Sequence, residues 1–121
     1  MTLSTFSSLA FVPAIVVLAQ AGSPLALVYL ASLAATVAYH VSRETRWREV
    51  DQVLAWAVMG SNATLAVWTR DPLWTLAGVF WAAVAVACYR AAKEGSYDRW
   101  HALWHVFSGT ACWSFARGYV G

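Results

Sequence analysis

Three histidines, an aspartate and a threonine are spaced so that together they could hold a metal ion and use it. His101 and His105 are four residues apart, so on a helix they share one face. Two imidazoles at that spacing can bind a single ion, as in helical zinc motifs. His40 would supply a third ring and leave one position open to water. Zinc in such a site lowers the pKa of its water to about 7, which makes a nucleophile at neutral pH. Asp51 could orient that water or take its proton. A divalent ion, one hydroxide and one carboxylate sum to zero charge, which lowers the cost of burying them. Thr36 lies one turn before His40 on the same face, and its hydroxyl could bond the water or a developing oxyanion. Ser108 follows His105 by three residues. Ser32 and Asn62 lie deeper, on roughly the faces of His40 and Asp51. These three serve as candidate outer partners of the site.

The elements that carry these residues follow from where charge is missing. The chain has 121 residues, 60% hydrophobic and only 12% charged. An ordinary soluble domain has about 25% charged residues. No charge precedes Arg43, and further charge-free runs cover Gln52 to Thr69, Pro72 to Tyr89 and Trp100 to Ala116. Each run is close to the roughly 18–20 residues that cross a bilayer core, and the first suffices for two crossings. It is divided at Ala21-Gly22-Ser23-Pro24, a turn signal. The expected fold is therefore all-α: one integral membrane domain over residues 1–121, a polytopic bundle of about five helices near 4–21, 24–42, 49–69, 72–92 and 97–119. A backbone in lipid must satisfy its own hydrogen bonds, which forces helices here. Pro13 is expected to kink the first helix, while Pro24 and Pro72 suit helix starts. Five spans use about 100 positions and leave no room for a soluble enzyme domain. The net charge of +2 gives no footing for a nucleic-acid partner.

Helix parity then gives depth. Six basic residues (Arg43, Arg46, Arg48, Arg90, Lys93 and Arg99) fall on the side of the N-terminus, against Arg70 and Arg117 opposite. The positive-inside rule makes the N-terminal side cytoplasmic. The expected location is the plasma (inner) membrane of a bacterium, multi-pass, with the metal site on the cytoplasmic side. Trp47 and Trp100 near that side, and Trp68, Trp74 and Trp113 near the other, suit the two interfaces. His40 ends the second helix, Asp51 opens the third, and His101 and His105 lie in the first two turns of the fifth. All four therefore share one depth, just inside the N-terminal side. Ionisable groups within a span are functional candidates by default. The N-terminal stretch has no Lys or Arg, so Leu9 to Ala21 reads as a retained span, although Ala19-Gln20-Ala21 resembles a cleavage site. Cys88 and Cys112 fall at different depths and are expected to be packing thiols, not a disulfide.

Taken singly, each residue has a plainer reading. His40 suits a helix end, Asp51 suits the dipole of a first helical turn, and Thr36 and Ser32 suit helix packing. Ser108 and Asn62 suit interhelical hydrogen bonds. Intramembrane histidines can also be axial ligands of a haem in an electron carrier. Since His101 and His105 cannot straddle one haem, His40 would then have to stand opposite.

The combination Thr36-x-x-x-His40, Asp51 at the next helix start, and His101-x-x-x-His105 in the last helix resembles the CREST superfamily. That group includes alkaline ceramidases, progestin and adipoQ receptors, and membrane hydrolases of GPI-anchor lipids. The strings Tyr39-His40 and Trp100-His101-Ala102-Leu103-Trp104-His105-Val106-Phe107-Ser108 are in the same style. The resemblance covers about half the chain. It implies a Zn2+ ion held by His40, His101 and His105, with Asp51 and the Thr36 hydroxyl beside its water, and hydrolysis of an amide or ester in a lipid substrate. It also implies the alternative of a non-catalytic receptor or scaffold that keeps the zinc structurally. The family usually has serine where this chain has Thr36, and seven helices where this chain has five. A minimal five-helix member must draw its missing walls from helices 1 and 4, from lipid, or from a second copy in a homo-oligomer.

Overall fold

The computed structural model describes residues 6–94 and 97–121, without the side chains of residues 93, 94, 97 and 98. The expected start of the first helix at residue 4 and the side chain of Lys93 lie outside the described residues. What is described is all-helical: a 3-10 turn at Ser8–Phe11, then α1 Val12–Gln20, α2 Leu25–Ser42, α3 Thr45–Val67, α4 Pro72–Glu94 and α5 Tyr97–Val120.

Two local expectations need correction. Pro13 does not kink a continuous first helix. The chain runs as a 3-10 turn up to Phe11, and Pro13 sits in the first positions of α1, where a missing N–H costs nothing. The third helix begins at Thr45, not near residue 49. Arg43 takes the left-handed conformation at φ 59°, and its N–H closes α2 on the Tyr39 carbonyl at 2.7 Å. Glu44 is extended at φ −76°, ψ 137°, and restarts the chain as α3. The α2–α3 connection is thus two residues long, and Arg46 and Arg48 ride on the first turns of α3.

Helix α5 is the centre of the bundle. It makes the most extensive interface with α4 and also packs against α1, the 3-10 turn and α3, while α2 packs on α3 and α1. Among the described residues, α2 and α5 share no extended backbone packing, and the extended packing of α4 is with α5. The core holds Ala14, Leu18, Tyr29, Leu65, Cys112 and Ala116, all nearly inaccessible. Small residues on α5 let neighbours close in. A Cβ on Gly109 would lie 2.4 Å from the Ala10 carbonyl oxygen, and one on Gly118 would lie 2.9 Å from the Thr69 hydroxyl. At that second crossing the N–H groups of Arg70 and Asp71 donate to the Gly118 carbonyl at 2.8 and 3.1 Å. The α3–α4 turn is thereby tied to the end of α5, and the Asp71 carboxylate caps α4 by accepting from the Leu73 N–H at 3.1 Å. Cys88 and Cys112 are both free thiols.

The outside is apolar. Val53, Trp56, Val67, Trp68 and Leu73 are each more than two-thirds exposed. Of the five expected spans, two are long and apolar enough to cross a membrane by length and composition, Leu25–Ser42 and Pro72–Ala92. The apolar stretch Ser8–Gln20 is shorter. Helices α3 and α5 carry charged and imidazole groups in their opening turns, which lowers their apolar character.

The Gly109 crossing is the tightest of those described. Gly109→Ala should force the 3-10 turn off α5 and cost about 1–3 kcal/mol, as other overpacked sites do. Thermal unfolding followed by circular dichroism should show a lower midpoint than wild type.

Candidate metal centre

Helix α2 presents Ser32, Thr36 and His40 at four-residue intervals, and all three are buried. The short α2–α3 turn folds α3 back beside α2, which brings Asp51 level with Thr36. The Thr36 hydroxyl donates to Asp51 Oδ1 at 2.5 Å. The carboxylate is also close enough to His40 for direct electrostatic attraction. Across the gap, α5 presents His101 and His105 on one face, as the four-residue spacing requires.

The three imidazoles meet. Ring centroids are 5.3 Å apart for His40 and His101, 5.4 Å for His40 and His105, and 4.5 Å for His101 and His105. Each pair is edge-on, with interplanar angles of 69°, 74° and 68°. All three side chains are buried, and one ring nitrogen of each lies within 4.8 Å of the others. Metal–nitrogen bonds of about 2.0–2.1 Å at tetrahedral angles need nitrogens about 3.4 Å apart and ring centroids about 5.2 Å apart. The centroid separations bracket that requirement, two pairs slightly wide and the His101–His105 pair slightly close, so small turns and shifts of the rings suffice. Three buried histidines are thus close enough to bind a metal ion, and three protein ligands leave a fourth tetrahedral position. A triangle of rings at these separations leaves no slot for the broad plane of a haem between any two of them.

Aromatic side chains wall the cluster. Trp104 lies 5.0 Å from His101 and 5.2 Å from His105 between centroids, and Tyr39 lies 5.3 Å from His40. Phe11, from the 3-10 turn, stands edge-on to His105 at 6.4 Å. Helix α4 reaches this wall through Tyr89, 5.4 Å from Trp104. The N-terminal segment thus supplies part of the wall directly, while α4 stands behind it.

The remaining candidates separate. Asn62 is not an outer partner of the histidines. Its side-chain oxygen accepts from the Tyr29 hydroxyl, and its Nδ2 donates to Cys112 Sγ at 3.4 Å. Cys112 is two turns beyond His105, about 10 Å along the helix, so this network belongs to the core. Ser32 is two turns from His40, about 12 Å along α2, and is also deeper than the cluster. Ser108 is half-buried one turn beyond His105.

One contact was missed by reasoning from charge and depth. The Ser7 hydroxyl lies 3.0 Å from His105 Nδ1. The signal was present in the sequence, since Ser7 is a polar residue within the expected first span, near the end that carries the histidines. A search restricted to ionisable groups passes over it. Comparison of the chain with protein-family models, with curated proteins and with solved structures finds no match to any of them.

Proposed function

We propose that this chain is an integral membrane hydrolase that uses a zinc ion to cleave an amide or ester bond of a lipid. The observation that carries this reading is the convergence of His40, His101 and His105 next to a carboxylate that Thr36 holds in place. Three imidazoles with one tetrahedral position left over are a donor set that suits zinc. Zinc bound there would acidify a water and polarise a substrate carbonyl.

The chain's own residues have distinct tasks. His40, His101 and His105 would hold the ion. Thr36 donates to Oδ1 of Asp51, which fixes the carboxylate and leaves its other oxygen to accept a proton from water at the site. The same carboxyl can return that proton to the leaving amine or alkoxide. Trp104, Tyr39 and Phe11 exclude bulk water and lower the local dielectric, which strengthens these charge interactions. A bundle with apolar outer residues on α3 and α4 suits a multi-pass position in a bilayer. The basic excess near the cluster suits a cytoplasmic orientation. The cluster then lies at headgroup depth, where a lipid's amide or ester bonds are found.

Two measurements test this reading. Elemental analysis of protein purified without chelators should find one zinc per chain, and His105→Ala should lose it. A lipid hydrolysis screen should find turnover that Asp51→Asn reduces by about 10²–10⁴-fold, the usual size of an acid–base contribution, with zinc content unchanged. Wild-type protein with no zinc would overturn the metal assignment. An Asp51→Asn variant with full turnover would overturn the role of the carboxylate. A zinc-loaded protein without hydrolysis of any lipid would favour the receptor or scaffold reading.

A further inference from the structure

Ser7 and His105 are 98 positions apart in the chain, yet the serine hydroxyl lies 3.0 Å from Nδ1 of the ring. That is an ordinary N–H···O distance. A neutral imidazole carries its proton on one nitrogen and a lone pair on the other. Only the nitrogen with the lone pair can bind an ion, so whatever bonds the other nitrogen chooses the ligand atom.

We infer that Ser7 is a positioning residue of the metal centre: its oxygen accepts the Nδ1 proton of His105 and thereby holds Nε2 as the ligating nitrogen. This rests on the metal reading given above. It makes the N-terminal segment a working part of the site.

The segment is seated, not merely adjacent. Ser8 is fully buried. Ala10 lies against the bare backbone of Gly109, so close that no Cβ fits between them. Phe11 stands edge-on to the His105 ring itself. Gly109 is one turn beyond His105 and Ala10 is three residues beyond Ser7, so the close crossing sets the height of Ser7 over the ring. A hydroxyl held this way restricts rotation of the imidazole about its side-chain bonds, and with an ion on Nε2 the ring keeps its proton on Nδ1, where the serine oxygen accepts it. The other polar network of the core, Tyr29–Asn62–Cys112, leads away from the histidines and offers them no such control.

The test uses full-length protein stripped of metal and titrated with zinc against a chromophoric chelator. The ¹⁵N spectrum of histidine-labelled, metal-free protein is recorded in parallel. Ser7→Ala should weaken zinc binding by about 10–100-fold, the usual effect of losing a ligand's orienting partner. It should also shift His105 from one tautomer to a mixture, while the melting temperature of the metal-free protein stays at the wild-type value. Ser7→Thr, which keeps the hydroxyl, should restore both affinity and tautomer. Wild-type affinity and an unchanged tautomer in Ser7→Ala overturn this inference alone. Wild-type protein that takes up no zinc overturns the metal reading and this inference with it.

Discussion

An imidazole buried in an apolar bundle must have both of its ring nitrogens accounted for, because an unmatched polar group there is costly. Three such rings in mutual contact place that demand at one point. The rest of the architecture can be understood as the way this chain meets it. Helix α5 supplies two rings on one face. Helix α2 supplies the third, which meets the other two through ring contacts. The α2–α3 turn brings a carboxylate to the same level, and the N-terminal turn brings a hydroxyl to the ring that lies deepest in the cluster.

Depth was the part most open to reading beforehand. Charge-free runs gave the number of helices, and their parity put His40, Asp51, His101 and His105 on one level, where the rings indeed meet. Thr36 was also legible, since one helical turn separates it from His40. Its hydroxyl serves the carboxylate, a pairing between helices that spacing along one helix cannot reveal. The start of α3 was not legible. Arg43 adopts a left-handed conformation usually taken by glycine or asparagine, so nothing in its side chain marks the turn. Asn62 follows its plainer reading as a deeper interhelical hydrogen-bonding residue; that its partners are Tyr29 and Cys112, from two other helices, could not be read from its own helix face. Ser7 was missed because, as one of several hydroxyl residues near the start of the chain, beside Ser4, Thr5 and Ser8, it resembles a packing or capping residue.

The apolar exterior and the polar cluster place opposing demands on the same helices. Helices α2 and α4 are apolar along a full span. Helices α3 and α5 give up part of that character in their opening turns to carry the cluster and the basic residues beside it. Concentrating the polar groups at one end limits the loss to the helix termini. There the backbone already has open hydrogen-bonding groups.

The two-residue connection between α2 and α3 has a mechanical result. With Arg43 and Glu44 as its whole length, the hairpin carries His40, Thr36 and Asp51 as one stiff arm. His101 and His105 belong to the opposite arm, on α5. A hinge motion that parts the arms would carry one imidazole and the carboxylate away together, leaving the threonine–aspartate bond intact. Any displacement of the hairpin from α5 would therefore open the cluster in halves, and reclosure would return its members in a single movement.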